Sequence, residues 1–177
     1  MTPFAFNTVP ALDMAWQGAG RLGEILSTRF AARKLFLITD AGLVKAGLIA
    51  PVEADLRRAG FSVTIFDAVV ADPPEAVLLQ AVDLAKQAGA DIVLGLGGGS
   101  SLDISKLVAV LLHGSQSLAE MYGIGNVKGT RAPLVLVPTT AGTGSEVTNI
   151  AIITTGATTK MGVVSPQLYA DYVLLDA

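Results

Sequence analysis

The sequence predicts an α/β fold in which a parallel sheet carries helices on both faces. Apolar runs of strand length alternate with longer amphipathic runs, which begin near Asp, Pro or Ser and end near Gly. This alternation is typical of parallel sheets that are covered on both sides. Hydrophobic residues make up 51% of the 177 residues and charged residues 15%, so the chain can bury one sizeable core. We therefore expect one domain over residues 1–177.

Four apolar runs are the predicted strands of the parallel sheet. They span residues 35–39, 61–66, 91–96 and 134–137. The helix between the first two ends at Gly60. The next helix opens at 73–75, because proline suits the first helical turn, and Gly89 ends it. The third helix follows the 91–96 strand after a short loop and starts near Ser100.

The tail has a different pattern. Residues 147–155, 160–164 and 172–175 have the composition of short strands, with no long helix between them. We expect them to form a small antiparallel β extension near the C-terminus.

The composition excludes several classes of function. Without cysteine the chain has no disulfide, thiolate nucleophile or cysteine-based metal site, and His113 is its only histidine. The net charge is −3 and the basic residues are scattered, which argues against nucleic-acid binding. The longest uncharged stretches, 132–145 and 147–159, are too short and too polar to span a membrane. The opening residues lack a secretory pattern, so we expect a cytoplasmic protein.

A glycine-rich loop joins the 91–96 strand to the following helix. A diphosphate is bulky and anionic, so its binding loop needs residues without Cβ atoms, free backbone N–H groups and the positive end of a helix. Gly97, Gly98, Gly99 and Ser100 meet these needs, although Ser100 replaces the third glycine of the G-x-G-x-x-G pattern. The structural alternative is a tight turn capped by Ser100 or Ser101.

A threonine-rich loop follows the 134–137 strand. Ligands collect at the carboxyl ends of parallel strands, so the hydroxyls of Thr139, Thr140 and Thr143 should line the same crevice as the glycine loop. The alternative is an ordinary turn held by hydroxyl groups.

Together these segments resemble the N-terminal half of the iron-containing, or group III, alcohol dehydrogenases. The similarity runs through residues 38–40, 97–106, 138–148 and 160–162, and through the closing 173–176. It implies a Rossmann-like domain that binds a nicotinamide cofactor. It also implies a parent enzyme that interconverts alcohols with aldehydes or ketones as small-molecule substrates.

The resemblance assigns roles to three charged residues. Asp40 would bind the adenosine ribose hydroxyls, and its carboxylate would repel a 2′-phosphate, so NAD is expected rather than NADP. Asp72 would lie near the adenosine, and Lys160 would reach the nicotinamide ribose. The alternatives are a helix N-cap for Asp40, a turn or cap for Asp72 and a solvated surface position for Lys160.

The resemblance also implies how the two loops divide the rest of the cofactor. Gly98, Gly99 and Ser100 would take the pyrophosphate. The threonines of the second loop, Thr139, Thr140 and Thr143, would line the adenine, ribose and phosphate pocket.

Other polar residues lie close to these loops. Asp103 is expected in the first turn of the glycine-loop helix, three residues before Lys106, where the two either form a helix-stabilising pair or shape the cofactor site indirectly. Glu146 is expected to position the threonine loop. His113 should lie at the C-terminal end of the helix.

The resemblance implies Fe²⁺ or another divalent metal in the parent enzyme, held by Asp and His residues of a helical second domain beyond residue 177. We therefore expect no catalytic or metal residue in this chain, and NAD binding without turnover. A homodimer or higher oligomer is expected, in which Phe4-Ala5-Phe6 pairs with another subunit. Two alternatives stay open: a domain of a related polyol, sugar-phosphate or maleylacetate enzyme, or a non-catalytic nucleotide-binding module.

Overall fold

The computed structural model describes residues 6–177. The helices in this range are α1 (Leu22–Arg29), α2 (Ala41–Lys45), α3 (Ile49–Arg58), α4 (Glu75–Gln87), α5 (Gly99–His113) and α6 (Leu118–Met121). The strands are β1 (Leu12–Ala15), β2 (Lys34–Ile38), β3 (Ser62–Phe66), β4 (Ile92–Gly97), β5 (Gly123–Ile124), β6 (Leu134–Pro138), β7 (Ile150–Thr155), β8 (Thr159–Val164) and β9 (Tyr172–Asp176).

Six strands form the main sheet, in the order β1-β9-β6-β4-β2-β3, and every neighbouring pair is parallel. Strand β2 illustrates the packing on both faces. Leu35 and Leu37 join the core with α1 and α3, while Phe36 and Ile38 join the core with α4 and α5. This alternation follows from the two-residue period of a strand. The predicted α/β, Rossmann-like fold with helices on both faces is confirmed.

Helix α5 is the central helix of the domain. Residues 104–112 are buried without interruption, because α5 packs on β4 of the main sheet and on β7 of a second sheet. The burial continues around the whole helix, which has no exposed polar face over these residues, as expected for a helix that is covered on all sides. Its N-terminus is therefore held rigidly at the carboxyl end of β4.

The second sheet has the strand order β5-β8-β7. The predicted extension is present, and β7 and β8 are antiparallel from Ile150↔Val164 to Thr155↔Thr159. It is a mixed sheet, however, because β5 joins β8 in parallel.

One strand of the tail lies in a different sheet from the one predicted. The 172–175 run, expected in the small extension, lies in the main sheet as β9 between β1 and β6. Tyr172, Val173 and Leu174 are buried, and such continuous burial is typical of a central parallel strand.

Several short elements were not predicted, namely β1, α1, α2, α6 and β5. Strand β1 has four residues and lies at the sheet edge, where Met14 is exposed, so it lacks a clear alternating pattern. Of the segment expected to pair with another subunit, Phe4 and Ala5 lie outside the described residues. Phe6 is 83% exposed.

Candidate functional site

A cleft of about 660 Å³ opens at the carboxyl ends of the parallel strands. The segments after four neighbouring strands line it, and three of these segments contain residues expected at the site. Asp40 follows β2, Gly98, Gly99 and Ser100 follow β4, and the 140–143 loop follows β6. The two loops therefore line one crevice, as the edge rule for parallel sheets predicts.

The N-terminus of α5 forms the floor of this cleft. Gly98 is the N-cap residue and provides no side-chain cap, and the first intrahelical bond runs from Leu102 N to Gly98 O over 3.1 Å. The N–H groups of Gly99, Ser100 and Ser101 belong to the first turn, which has no intrahelical acceptor for them. A 15-residue helix directs its dipole at the same point, so the end of α5 suits an anion. The helix therefore begins without the serine side-chain cap that was the structural alternative.

The glycines keep this floor open. A Cβ on Gly99 would lie 3.1 Å from Thr143 Cγ2, and one on Gly98 would lie 3.6 Å from Thr140 Cγ2. Side chains at these two positions would fill the space between the two loops. Gly97 does not line the cleft. It is buried beneath it, where a Cβ would lie 2.7 Å from the Ser101 hydroxyl oxygen, so its role is close packing of the strand-to-helix turn.

Asp40 is the N-cap residue of α2, which was one of the two expectations for it, and it also lies at the cleft. Its Oδ1 accepts a hydrogen bond of 3.1 Å from Leu43 N, which caps α2, and the residue also lines the cleft. The N-cap bond fixes the carboxylate at the rim, opposite the α5 N-terminus.

Thr139 is separated from the other two threonines. It lines a neighbouring pocket of about 580 Å³ together with Glu146 and Asp176, while Thr140 borders both spaces and Thr143 faces the glycine loop.

A second cleft, of about 320 Å³, adjoins the first. The two share Gly99, Ser100 and Thr143, so they meet at the α5 N-terminus. The outer wall of the second cleft is the face of β7 that carries Ile150, Ile152 and Thr154.

Asp72 and Lys160 lie together in this second cleft, apart from Asp40. Lys160 Nζ donates to Asp72 Oδ1 over 2.5 Å, and both side chains are more than half exposed. Asp72 has a φ of 50°, and its carbonyl accepts a bond of 3.0 Å from Thr154 Oγ1. Asp72 is thus also a turn residue, and its carboxylate engages a lysine at the opposite wall.

Some cleft residues were missed in the sequence. The loop after β3 supplies Val69, Val70 and Ala71 to the first cleft, and Thr148 and the β7 isoleucines line the second. Two signals in the sequence indicate these residues. Ligands collect at the carboxyl ends of parallel strands, which includes the loop after β3, and every second residue of a strand lies on the same face, which groups the β7 isoleucines.

Asp103 and Lys106 form an i, i+3 ion pair on α5, but Asp103 lies beyond the first turn, where it was expected. Asp103 is the fifth residue of α5, and the Lys106 side chain is completely buried. Lys106 Nζ donates to Ile150 O over 2.8 Å and to Thr148 Oγ1 over 3.2 Å, and lies 3.6 Å from Asp103 Oδ1. Burial raises the pKa of Asp103 and lowers the pKa of Lys106, while the attraction between the two charges opposes both shifts.

Glu146 lies beside this pair, with its Oε2 atom buried and without a hydrogen-bond partner among residues 6–177. His113 is the last residue of α5, as predicted, and its side chain is exposed.

Residues 6–177 contain no group of three or more His, Asp or Glu side chains arranged to hold a metal ion. In the same range, none of the helices combines the length and the apolar character that a bilayer crossing requires.

The chain is similar to known proteins over most of its length. The family model for iron-containing alcohol dehydrogenases matches residues 14–177. Long-chain-alcohol dehydrogenase 1 of Geobacillus thermodenitrificans is 41% identical over 167 residues, which cover 90% of this chain and 41% of that protein. Sulfoacetaldehyde reductase of Bilophila wadsworthia is 41% identical over 145 residues, which cover 81% and 38%.

A solved structure has the same fold as this chain. NADH-dependent butanol dehydrogenase A from Thermotoga maritima superposes with a TM-score of 0.90 at 27% identity, over 99% of this chain and 44% of that one. The chain spans less than half the length of each of these relatives. From the family match and the shared architecture, the chain belongs to the iron-containing alcohol dehydrogenase family of oxidoreductases.

Proposed function

We propose that residues 1–177 form the NAD-binding domain of an alcohol dehydrogenase, and that the dinucleotide lies across the two adjoining clefts. The observation that carries this proposal is the uncapped N-terminus of α5, which lies where the two clefts meet. A diphosphate is the central part of a dinucleotide, and it fits the point shared by both spaces.

The pyrophosphate would be held by the first-turn N–H groups of Gly99, Ser100 and Ser101. The hydroxyls of Thr140 and Thr143 face the same space from the other loop and can donate to phosphate or ribose oxygens. Among the described residues, no lysine or arginine lines the first cleft. The N-terminus of α5 and the threonine hydroxyls would therefore stabilise the negative charge of the pyrophosphate.

The adenosine half would occupy the first cleft, beside Asp40. Its carboxylate would accept hydrogen bonds from the ribose hydroxyls and repel a 2′-phosphate, which favours NAD over NADP. Val69 and Val70 line the same cleft and offer apolar contact to a base. Thr139 and Gly97 lie outside this cleft, and their proposed part is to shape the two loops.

The nicotinamide half would occupy the second cleft. Lys160 would donate to a ribose hydroxyl, either after its ion pair with Asp72 breaks or while the pair is kept. The isoleucines of β7 would pack on the nicotinamide ring and exclude water from it. Asp72 would therefore act at this half, where it holds Lys160.

In the parent enzyme, NAD accepts a hydride from the alcohol carbon, and NADH returns one to an aldehyde or ketone. This chain would bind and orient the dinucleotide. The family match suggests Fe²⁺ or another divalent ion in the parent enzyme, and we propose that it is held outside the domain described here. We further propose a cytoplasmic protein that works as a homodimer or higher oligomer.

Calorimetric titration of the chain with NAD, NADP and ADP-ribose tests the proposal. We expect NAD and ADP-ribose to bind, NADP to bind more weakly, and no alcohol oxidation by the chain alone. Heat from none of the three would overturn the dinucleotide assignment. Equal binding of NAD and ADP-ribose, with no contribution from nicotinamide, would instead favour the non-catalytic nucleotide-binding module.

A further inference from the structure

Thr154 joins the second sheet to the turn between β3 and α4. Its N–H donates to Pro73 O over 3.0 Å, and its Oγ1 donates to Asp72 O over 3.0 Å. Asp72 is 82 residues away in the chain. A parallel β-bridge between Pro74 and Thr154 lies at the same place. One residue of β7 therefore holds two successive carbonyl groups of the turn.

Lys160 lies next to Thr154 and holds the same turn by its side chain. The two residues are directly opposite each other in the antiparallel pair of β7 and β8, and both line the second cleft. Lys160 Nζ donates to Asp72 Oδ1 over 2.5 Å. Asp72 is thus bound at its carbonyl by Thr154 and at its carboxylate by Lys160.

The backbone of Asp72 has a conformation that needs such support. Its φ of 50° is in the left-handed region, where a Cβ lies too close to the following carbonyl oxygen. Asp72 also precedes Pro73, and the residue before a proline is normally extended. Unfavourable conformations persist where the surrounding contacts impose them, and they are common in binding sites.

The bonds from Thr154 impose this conformation more effectively than the ion pair. The Lys160 and Asp72 side chains are 54% and 70% exposed, and exposed ion pairs contribute little to stability. The two bonds from Thr154 act on the backbone itself, on both sides of the peptide that joins Asp72 to Pro73. Thr154 therefore fixes the turn, and the ion pair forms because the turn brings the carboxylate to Lys160.

We propose that Thr154 is a positioning residue for the ribose of the nicotinamide half of the dinucleotide. It holds Asp72 in the left-handed conformation, and the carboxylate of Asp72 places the Lys160 ammonium group at the wall of the second cleft. This inference rests on the proposed function, in which Lys160 donates to a hydroxyl of that ribose. The first cleft is lined by none of these three residues, so binding of the adenosine half should not depend on Thr154.

The test compares ADP-ribose, which contains the second ribose, with ADP, which lacks it. Thr154→Val removes the hydroxyl group and keeps the shape of the side chain. In calorimetric titration we expect its affinity for ADP-ribose to fall about fivefold, the size expected for one lost hydrogen bond, and its affinity for ADP to stay within about twofold. Thr154→Ser keeps the hydroxyl group and should bind ADP-ribose as the unaltered chain does.

Two further variants separate positioning from a general effect on the β7–β8 hairpin. Thr155→Val is the matched control, because Thr155 Oγ1 donates within the hairpin, to Thr159 O over 3.3 Å. It should alter neither affinity. Asp72→Gly suits the positive φ but lacks the carboxylate, so it should show the same selective loss for ADP-ribose. Adding Thr154→Val to Asp72→Gly should then cause no further loss, because both changes remove the same contact.

Equal losses for both ligands in Thr154→Val, or no loss, would overturn the inference. So would a loss that Thr154→Ser does not recover, or additive losses in the double variant. If the unaltered chain binds neither ADP nor ADP-ribose, the proposed function falls and this inference falls with it. If the unaltered chain binds both, the results for the variants judge the inference alone.

Discussion

Gly95 in β4 lies so close to Ser105 in α5 that a Cβ on the glycine would be 2.5 Å from the serine hydroxyl oxygen. Ser105 Oγ in turn donates to Ser101 O over 2.7 Å within the helix. Leu136 of the neighbouring strand β6 limits the space beside Gly95 as well, because its Cδ2 would be 2.8 Å from the same Cβ. This contact fixes the position of α5 on the sheet. It thereby places the N-terminus of α5 at the cleft.

We expect Gly95→Ala to lower the free energy of unfolding by about 1–3 kcal/mol, the usual cost of overpacking a core. Chemical denaturation would measure the loss. Gly95→Ala/Ser105→Gly should recover part of it, since the second change removes the nearest atoms. The control is Gly20→Ala, where a Cβ would meet no atom within 4 Å. A Gly95→Ala variant as stable as the original chain would contradict this packing.

Ser100→Asp separates ligand binding from helix stability. A carboxylate in the first turn of α5 suits the helix dipole, so the melting temperature should be maintained or should rise slightly. The same charge would repel a pyrophosphate, and NAD binding should be lost in calorimetry. Gln80→Glu adds one negative charge on the exposed face of α4 and should leave NAD binding unchanged. Undiminished binding by Ser100→Asp would rule out the α5 terminus as the anion site.

Asp40 has a capping role and a proposed selective role, and two variants separate them. Asn is as good an N-cap as Asp, so Asp40→Asn should keep stability while the preference for NAD over NADP decreases. Asp40→Ala should show the same change in preference and also lose about 0.5–2 kcal/mol of stability. Titration with both dinucleotides, together with thermal unfolding, measures the two effects. An undiminished preference for NAD in Asp40→Asn would show that the carboxylate does not select the cofactor.

Arg131 joins the start of β6 to the segment before β9. Its guanidinium pairs with both carboxylate oxygens of Asp171, at 2.5 and 3.0 Å, and also donates to the carbonyls of Gln167, Ala132 and Tyr169. Arg131→Met leaves these acceptors without their donor, so we expect a loss of about 2 kcal/mol or more in denaturant unfolding. Arg58→Met, which breaks an exposed pair with Asp55, should cost well under about 1 kcal/mol. Similar losses for the two variants would contradict a special role for Arg131.

Tyr172 should make stability fall at alkaline pH. Burial raises the pKa of Tyr172 to about 12, and a hydrogen bond of 2.9 Å to Asp13 adds to the shift. The unfolded tyrosine ionises near its ordinary pKa of 10.0, before the folded one. The contribution of Tyr172 to stability is therefore fully present below pH 10 and is lost as the pH rises toward 12.

Tyr172→Phe should lack this part of the alkaline decrease, measured by denaturant unfolding at several pH values. Asp13→Asn should keep the larger part of it, because burial is the main cause of the pKa shift and remains in that variant. Equal slopes for the original chain and Tyr172→Phe would contradict the shift.

Much of the fold follows from local patterns. The strands at β2, β3, β4 and β6 and the helices α3, α4 and α5 were predicted near their observed bounds, because long apolar runs and glycine or proline ends are strong local signals. The four-residue β1 and the five-residue α2 carry too few residues for such a signal. The partner of a strand is not a local property either, so β9 was assigned to the wrong sheet.

The candidate site divides in the same way. The sequence by itself pointed to the glycine loop and the threonine loop, since each follows a recognisable strand and the carboxyl ends of parallel strands must share one edge. The role expected for Asp40 came from the family resemblance. Only the tertiary structure decided that Thr139 faces another pocket, that Asp72 pairs with Lys160, and that Lys106 is buried against β7. All three depend on which side chains meet across elements distant in the chain. Thr139 meets the end of β9, and the Asp72–Lys160 and Lys106 contacts arise where the second sheet packs on the rest of the domain, so no short segment encodes them.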